Sequence, residues 1–145
     1  MAARRIIGWR EWVALPTLGV DAIKAKVDTG ARSSSLHAFD MERFVEDGTE
    51  MIRFSLHPAQ RRPIPTVQAV APVAAHRLVR NPGGREELRP VIVATVRIGD
   101  LSWPVELNLT RRDTMGFRML LGRQAVRRRF VVDPGRSFLT GRPDR

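Results

Sequence analysis

Short runs of alternating apolar and polar residues, each closed by glycine, proline, asparagine or aspartate, recur along the whole chain and restrict it to β-structure. Ile6 to Leu15 is an apolar run that stops at Pro16. Leu18-Gly19-Val20-Asp21 reads as a turn. Ile23-Lys24-Ala25-Lys26-Val27 alternates with the period of two expected of a half-buried strand. Ser34, Leu36 and Ala38 fit a short strand, and Met51 to Leu56 is another alternating run. Pro58, Pro63, Pro65 and Pro72 confine any strand between residues 58 and 74 to an edge, or interrupt it. Asn81-Pro82-Gly83-Gly84 is a strong turn signal between the extended runs His76 to Arg80 and Leu88 to Ile98, the pattern of a long hairpin. Gly99-Asp100 marks a second, tight hairpin. Met119-Leu120-Leu121 is a short buried strand broken by Gly122. Arg123 to Arg129 fits one or two helical turns, Phe130 to Val132 a strand, and Asp133-Pro134-Gly135-Arg136 a turn before Ser137-Phe138-Leu139. The fold expected is an all-β closed barrel or sandwich, and 145 residues fit one domain, 1–145.

A domain of this length buries enough surface to fold without a disulfide or a structural metal. The chain has no cysteine, which removes disulfide scaffolds, cysteine catalysis and thiolate zinc sites. Two arginines near the N-terminus precede no apolar stretch long enough for a signal peptide, and no run approaches a membrane span. The expectation is a soluble, cytoplasmic protein with no membrane association. The net charge of +10 favours acidic partners, or is simply solvated. It is uneven: Arg111 to Arg129 holds seven arginines and one acid, whereas Asp40 to Glu50 holds five acids and one base.

Asp28-Thr29-Gly30 is the first candidate for chemistry. An aspartate at a strand end followed by glycine puts a carboxylate on a tight turn where backbone can approach a substrate. The same triplet is also an ordinary turn in many chains, so its surroundings decide. Downstream come the long hairpin around Gly83 and Gly84, then Met119-Leu120-Leu121-Gly122-Arg123 and a short helix.

This order resembles the retropepsins: an Asp-Thr/Ser-Gly-Ala loop, a flap hairpin, then an apolar pair with Gly-Arg before a short helix. It is most similar to a bacterial retropepsin-like family labelled ATP-dependent zinc protease. The segments that carry the resemblance are Ile7 to Pro16, Lys24 to Arg32, Ser35-Leu36-His37-Ala38, Arg89-Pro90-Val91-Ile92, Asn108-Leu109-Thr110, Met115 to Arg123, and Phe130 to Pro134. The resemblance implies an aspartic peptidase with a retropepsin-like barrel, Asp28 as catalytic carboxylate, and a peptide or protein substrate. Two carboxylates must face one water and share a proton. One triplet therefore implies a homodimer with Asp28 from each copy at a two-fold axis; the alternative is a monomer in which another acid, such as Asp113, supplies the second carboxylate. By the same resemblance Thr29 ties the two loops together, Gly30 and Ala31 line the substrate backbone, and Arg80 to Arg85, with Gly83 and Gly84, form the flap tip.

The zinc and ATP of the family label find no motif. His37, His57 and His76 are widely spaced, with no His-Glu-x-x-His and no Gly-x-x-x-x-Gly-Lys, so no metal and no cofactor is expected. Family members often accompany ATP-grasp ligases that add amino acids, frequently glutamate, which implies a ligase association and an acidic, glutamate-rich tail as substrate. Retropepsins usually carry an acid after Asp-Thr-Gly-Ala; here that position is Arg32. Arg32 and Arg123 are then expected near each other as ligands for substrate carboxylates, unless an acid such as Glu11 neutralises one. The family often has Asp where this chain has Arg111, and Asp113 is a possible substitute. Two competing readings remain: a catalytically silent peptide-binding module, and a basic nucleic-acid-binding β-barrel. The second is disfavoured by 6% aromatic content and the absence of tyrosine.

Overall fold

The computed structural model describes residues 4–59, 66–81, 83–111 and 116–143. Its strands in chain order are β1 (Arg5–Leu15), β2 (Val20–Asp28), β3 (Ser34–His37), β4 (Phe39–Glu46), β5 (Thr49–Leu56), β6 (Val67–Pro72), β7 (Ala75–Arg80), β8 (Glu86–Ile98), β9 (Leu101–Thr110), β10 (Met119–Gly122) and β11 (Phe130–Ser137). A 3-10 turn, Pro16–Leu18, joins β1 to β2, and the one-turn helix α1 (Arg123–Val126) follows β10.

Eight strands form one sheet in the order β11-β1-β2-β10-β3-β9-β8-β7. A further pairing of β1 with β8, at Ala14 and Arg97, closes the six central strands into a barrel. Closure pairs these six strands all round, and β11 and β7 remain as the outer edges of the sheet. Alternation along each strand fills the interior with Ile7, Val13, Ile23, Leu36, Ile92 and Leu107, all at most 1% exposed. β4, β5 and β6 form a separate three-stranded sheet. Ile52, Phe54 and Leu56 on alternate positions of β5 join the barrel interior in one apolar cluster.

β10 is inserted between β2 and β3, parallel to the first and antiparallel to the second. Its pairing sets Gly122 opposite Asp28. This crossing places the Asp28 turn against the start of α1, although 93 residues separate Gly30 from Arg123.

Two expectations change in detail. β4 runs through the acidic segment that alternation did not mark, because its side chains are mostly exposed and no apolar face alternates. β11 does not turn at Asp133 to Arg136. It continues through them with a register jump between Gly8 and Arg10, pairing Gly8 with Asp133 and Arg10 with Ser137. The Arg136 carbonyl lies where a Cβ on residue 8 would stand, so only glycine admits the bulge. Phe138 then takes a positive φ of 53° and leaves the sheet. α1 makes one turn and ends before Arg128, which also has a positive φ, 70°. β6 is an edge strand, as its flanking prolines require.

Candidate active site

Asp28 is the last residue of β2, half-buried, and the chain turns immediately after it. The Ala31 N–H donates to the Asp28 carbonyl at 3.1 Å, which closes the turn. The Gly30 N–H donates to Asp28 Oδ1 at 3.1 Å, which fixes the carboxylate. Thr29 and Gly30 are exposed at the tip.

The loop is then bound to α1. The Arg123 N–H donates to the Ala31 carbonyl at 2.8 Å, and the Gln124 N–H to the Arg32 carbonyl at 3.2 Å. Arg123 Nη1 donates to the Gly30 carbonyl at 3.2 Å. Gly122 is required here by close approach: a Cβ would overlap the Ser33 carbonyl. Its N–H donates to Ser34 Oγ at 3.0 Å, inside the protein.

Asp28 opens onto a cleft. Ala31, Ser33, Ser35 and Leu120 line one side, and Val79, Arg80 and Asn81 of the β7–β8 hairpin, with Arg89 and Asn108, complete it. Asp28 is the one acid among the described residues that line it. The hairpin pairs Arg80 with Glu86, and its turn is closed by hydrogen bonds between Asn81 and Arg85. Gly83 and Gly84 are exposed at the hairpin end, beyond Asn81, where the cleft lining stops. Gly84 has φ of 81°, the left-handed conformation that the turn demands.

Arg32 and Arg123 are brought together through their backbones, both exposed, and Arg123 holds a loop carbonyl. Glu11 neutralises neither. It is fully buried and accepts from four donors: the N–H groups of Gly8, Leu139 and Thr140, and the Thr140 hydroxyl. Its carboxylate clasps the chain after β11 onto β1. Asp113 lies outside the described residues. No three His, Cys, Asp or Glu side chains among the described residues converge to hold a metal ion. No helix among them is long and apolar enough to cross a membrane.

Sequence reasoning passed over Arg89, Asn108, Ser33 and Ser34 as site residues. Arg89 is 6% exposed and Asn108 is 4% exposed. Arg89 Nη1 donates to Asn108 Oδ1 at 2.9 Å, and Asn108 Nδ2 donates to the Ser34 carbonyl at 2.9 Å. The signal in the sequence was an arginine and an asparagine at core-facing positions of apolar strands. At the other end of the hairpin, Arg77 grips Glu106 of β9 through two hydrogen bonds of 2.6 and 3.2 Å. The paired guanidinium holds the Glu106 carboxyl below its usual range.

The model of the RimB-like family, described as "Retropepsin-like aspartic endopeptidase RimB", matches residues 6–143. A "Probable alpha-L-glutamate ligase" of Shewanella pealeana is 45% identical over 136 residues, 94% of this chain and 30% of the relative. A protein of the same name from Parasynechococcus marenigrum is 47% identical over 141 residues, 97% of this chain and 30% of the relative. This chain thus spans 30% of the length of these curated relatives. Among solved structures, Lpg0085 of Legionella pneumophila, a protein of unknown function, superposes with a TM-score of 0.80 at 28% identity, covering 95% of this chain and 99% of that one.

Proposed function

The chain belongs to the RimB-like family of retropepsin-like aspartic endopeptidases, and on that premise we propose that it hydrolyses peptide bonds with Asp28 as its catalytic carboxylate. The observation that carries the reading is Asp28 at the end of β2. Its Oδ1 is oriented by the Gly30 N–H, and it faces the β7–β8 hairpin across a cleft with no second acid in its described lining. Two copies, each presenting the exposed Thr29-Gly30 tip, supply the second carboxylate. Close like charges cannot both ionise, so the pair shares one proton. The ionised member takes a proton from water as it attacks the scissile carbonyl. The protonated member donates to the carbonyl oxygen, and a proton later passes to the leaving amine. Thr29 braces one loop on the other, Gly30 and Ala31 run beside the substrate backbone, and Gly83 and Gly84 shape the hairpin end that closes over it.

The substrate we propose is an acidic, glutamate-rich peptide tail. Three features support this: the net charge of +10, which raises the local concentration of anionic peptides; the exposed Arg32 and Arg123 beside the Asp28 loop; and relatives named as glutamate ligases, 30% of whose length this chain matches. A chain of this kind removes what such a ligase adds, in the same compartment, the cytoplasm.

The test is cleavage of a glutamate-tailed peptide and of a neutral casein-like substrate by wild type and Asp28→Asn, each with and without a chelator. Cleavage that survives the chelator and is lost in Asp28→Asn is expected. Cleavage lost to the chelator and kept in Asp28→Asn would overturn the aspartic mechanism.

A further inference from the structure

Two arginines share the cleft with Asp28: Arg80 at the end of β7 and Arg89 on β8. Arg89 is the unusual one. Its side chain is 7% exposed, and only two of its three guanidinium nitrogens are satisfied. Nη1 donates to Asn108 Oδ1, and Nη2 reaches Glu87 Oε2 at 3.3 Å. The Nε–H has no hydrogen-bond partner among the described residues. An unsatisfied N–H on a buried cation is costly, and native proteins rarely leave one without a reason.

The group is also held in advance. Asn108 spends its Nδ2 on the Ser34 carbonyl at 2.9 Å and on Ser33 Oγ at 3.4 Å, which turns Oδ1 toward Arg89. Glu87 is fixed from its other oxygen by the Thr110 hydroxyl at 3.3 Å. A guanidinium positioned before any ligand arrives loses little freedom on binding one. Charge points to the ligand. Across the two copies of the proposed site, the Arg89–Glu87 pairs cancel and two Arg80 face one Asp28 dyad that holds a single negative charge, which leaves one positive charge for a substrate carboxylate. The remaining polar lining, Ser33, Ser35, Asn81 and Asn108, is uncharged.

We propose that Arg89 is a specificity-determining residue that receives a carboxylate of the substrate residue beside the scissile bond, with Arg80 closing on the same carboxylate from the β7–β8 hairpin. The proposal rests on the peptidase reading and assigns acid selectivity to the cleft itself, in addition to the outer Arg32 and Arg123. An arginine suits a carboxylate because its planar fork bonds two oxygens at once, a geometry that lysine lacks.

The experiment compares peptides of equal length with glutamate or glutamine beside the cleavage site, each with a free or an amidated C-terminus. Wild type is expected to prefer glutamate in kcat/KM by roughly tenfold or more, the discrimination of a charge-assisted hydrogen bond. Arg89→Lys is expected to bring the ratio close to one, and Arg80→Ala, at an exposed position, to lower it less. A preference that follows the C-terminal acid instead of the side chain keeps Arg89 as the reader and assigns it the terminal carboxylate. An unchanged ratio in both variants overturns the proposal. Binding of the same peptides to Asp28→Asn, with and without Arg89→Lys, reads selectivity without turnover. Glutamate selectivity in binding with no cleavage by wild type would sink the peptidase reading and leave the arginine proposal standing. Equal binding of all four peptides to Asp28→Asn would sink the arginine proposal alone. Thermal melting of Arg89→Lys checks that it folds; if it does not, Arg80→Ala in the Asp28→Asn background decides.

Discussion

The two sides of the cleft are built on opposite terms. The Asp28 loop is joined to α1 and β3 by backbone bonds at Ala31 and Arg32, by the Gly122 N–H to Ser34 Oγ, and by the Arg123 side chain on Gly30. It also has no room to spare, since the Ser33 carbonyl abuts Gly122. The β7–β8 hairpin facing it is a two-stranded extension at the sheet edge, with Leu78 and Leu88 paired across it and 64% and 56% exposed. Beyond the ladder it is held by side-chain bonds: the half-exposed Arg77–Glu106 pair, Arg89 to Asn108, Thr110 to Glu87, and His76 with Glu50. On the proposed peptidase reading the two sides have different tasks. A carboxylate that must meet water at a set distance needs a floor that does not move, whereas a peptide must enter and leave beneath the roof. Segments with few buried contacts are the ones that open at low free energy.

The largest effect that would sharpen this comparison is Gly122→Ala. The new methyl meets backbone, which cannot swing aside, so a loss of about 3 kcal/mol or more is expected, read by urea unfolding, together with loss of any peptidase activity. Next is Ser34→Ala, which strips the buried Gly122 N–H of its acceptor. The expected cost is ~1–3 kcal/mol, with activity falling further than stability alone explains, because the Asp28 loop is displaced. The smallest is in the roof. A double-mutant cycle on Arg77 and Glu106 should give at most about 1 kcal/mol of coupling at neutral pH, since both side chains are half exposed. The Glu106 carboxyl is lowered when folded, so its contribution is present above the ordinary value of 4.5 and is lost as pH falls through the depressed value. The cycle should therefore approach zero in acid. Coupling in the roof as large as the Ser34→Ala cost would break the comparison.

The floor was legible in the sequence in outline, and the roof in position. Alternation and turn residues gave the strands of the barrel because its positions alternate between core and solvent. The same signal failed for β4, an edge strand with little buried on either face. The Asp28 turn was visible because its residues are contiguous. The Arg89–Asn108–Ser34 network was not, because its partners lie 19 and 74 residues apart and meet only through strand pairing. Glu11 read as a candidate counter-ion; the structure gives it backbone donors from the segment after β11, and nothing local announces that. Gly122 was read as a break in the strand, and the physical reason is the neighbouring carbonyl.

The central claim is that Asp28 from two copies makes one site. It is tested most directly by refolding wild type together with a ninefold excess of Asp28→Asn and measuring peptide cleavage at constant wild-type concentration. Random pairing leaves about one-tenth of the wild-type chains with a wild-type partner, so activity should fall to roughly that level. Activity unchanged by the excess would mean that one chain's Asp28 suffices, and the two-copy site would be wrong.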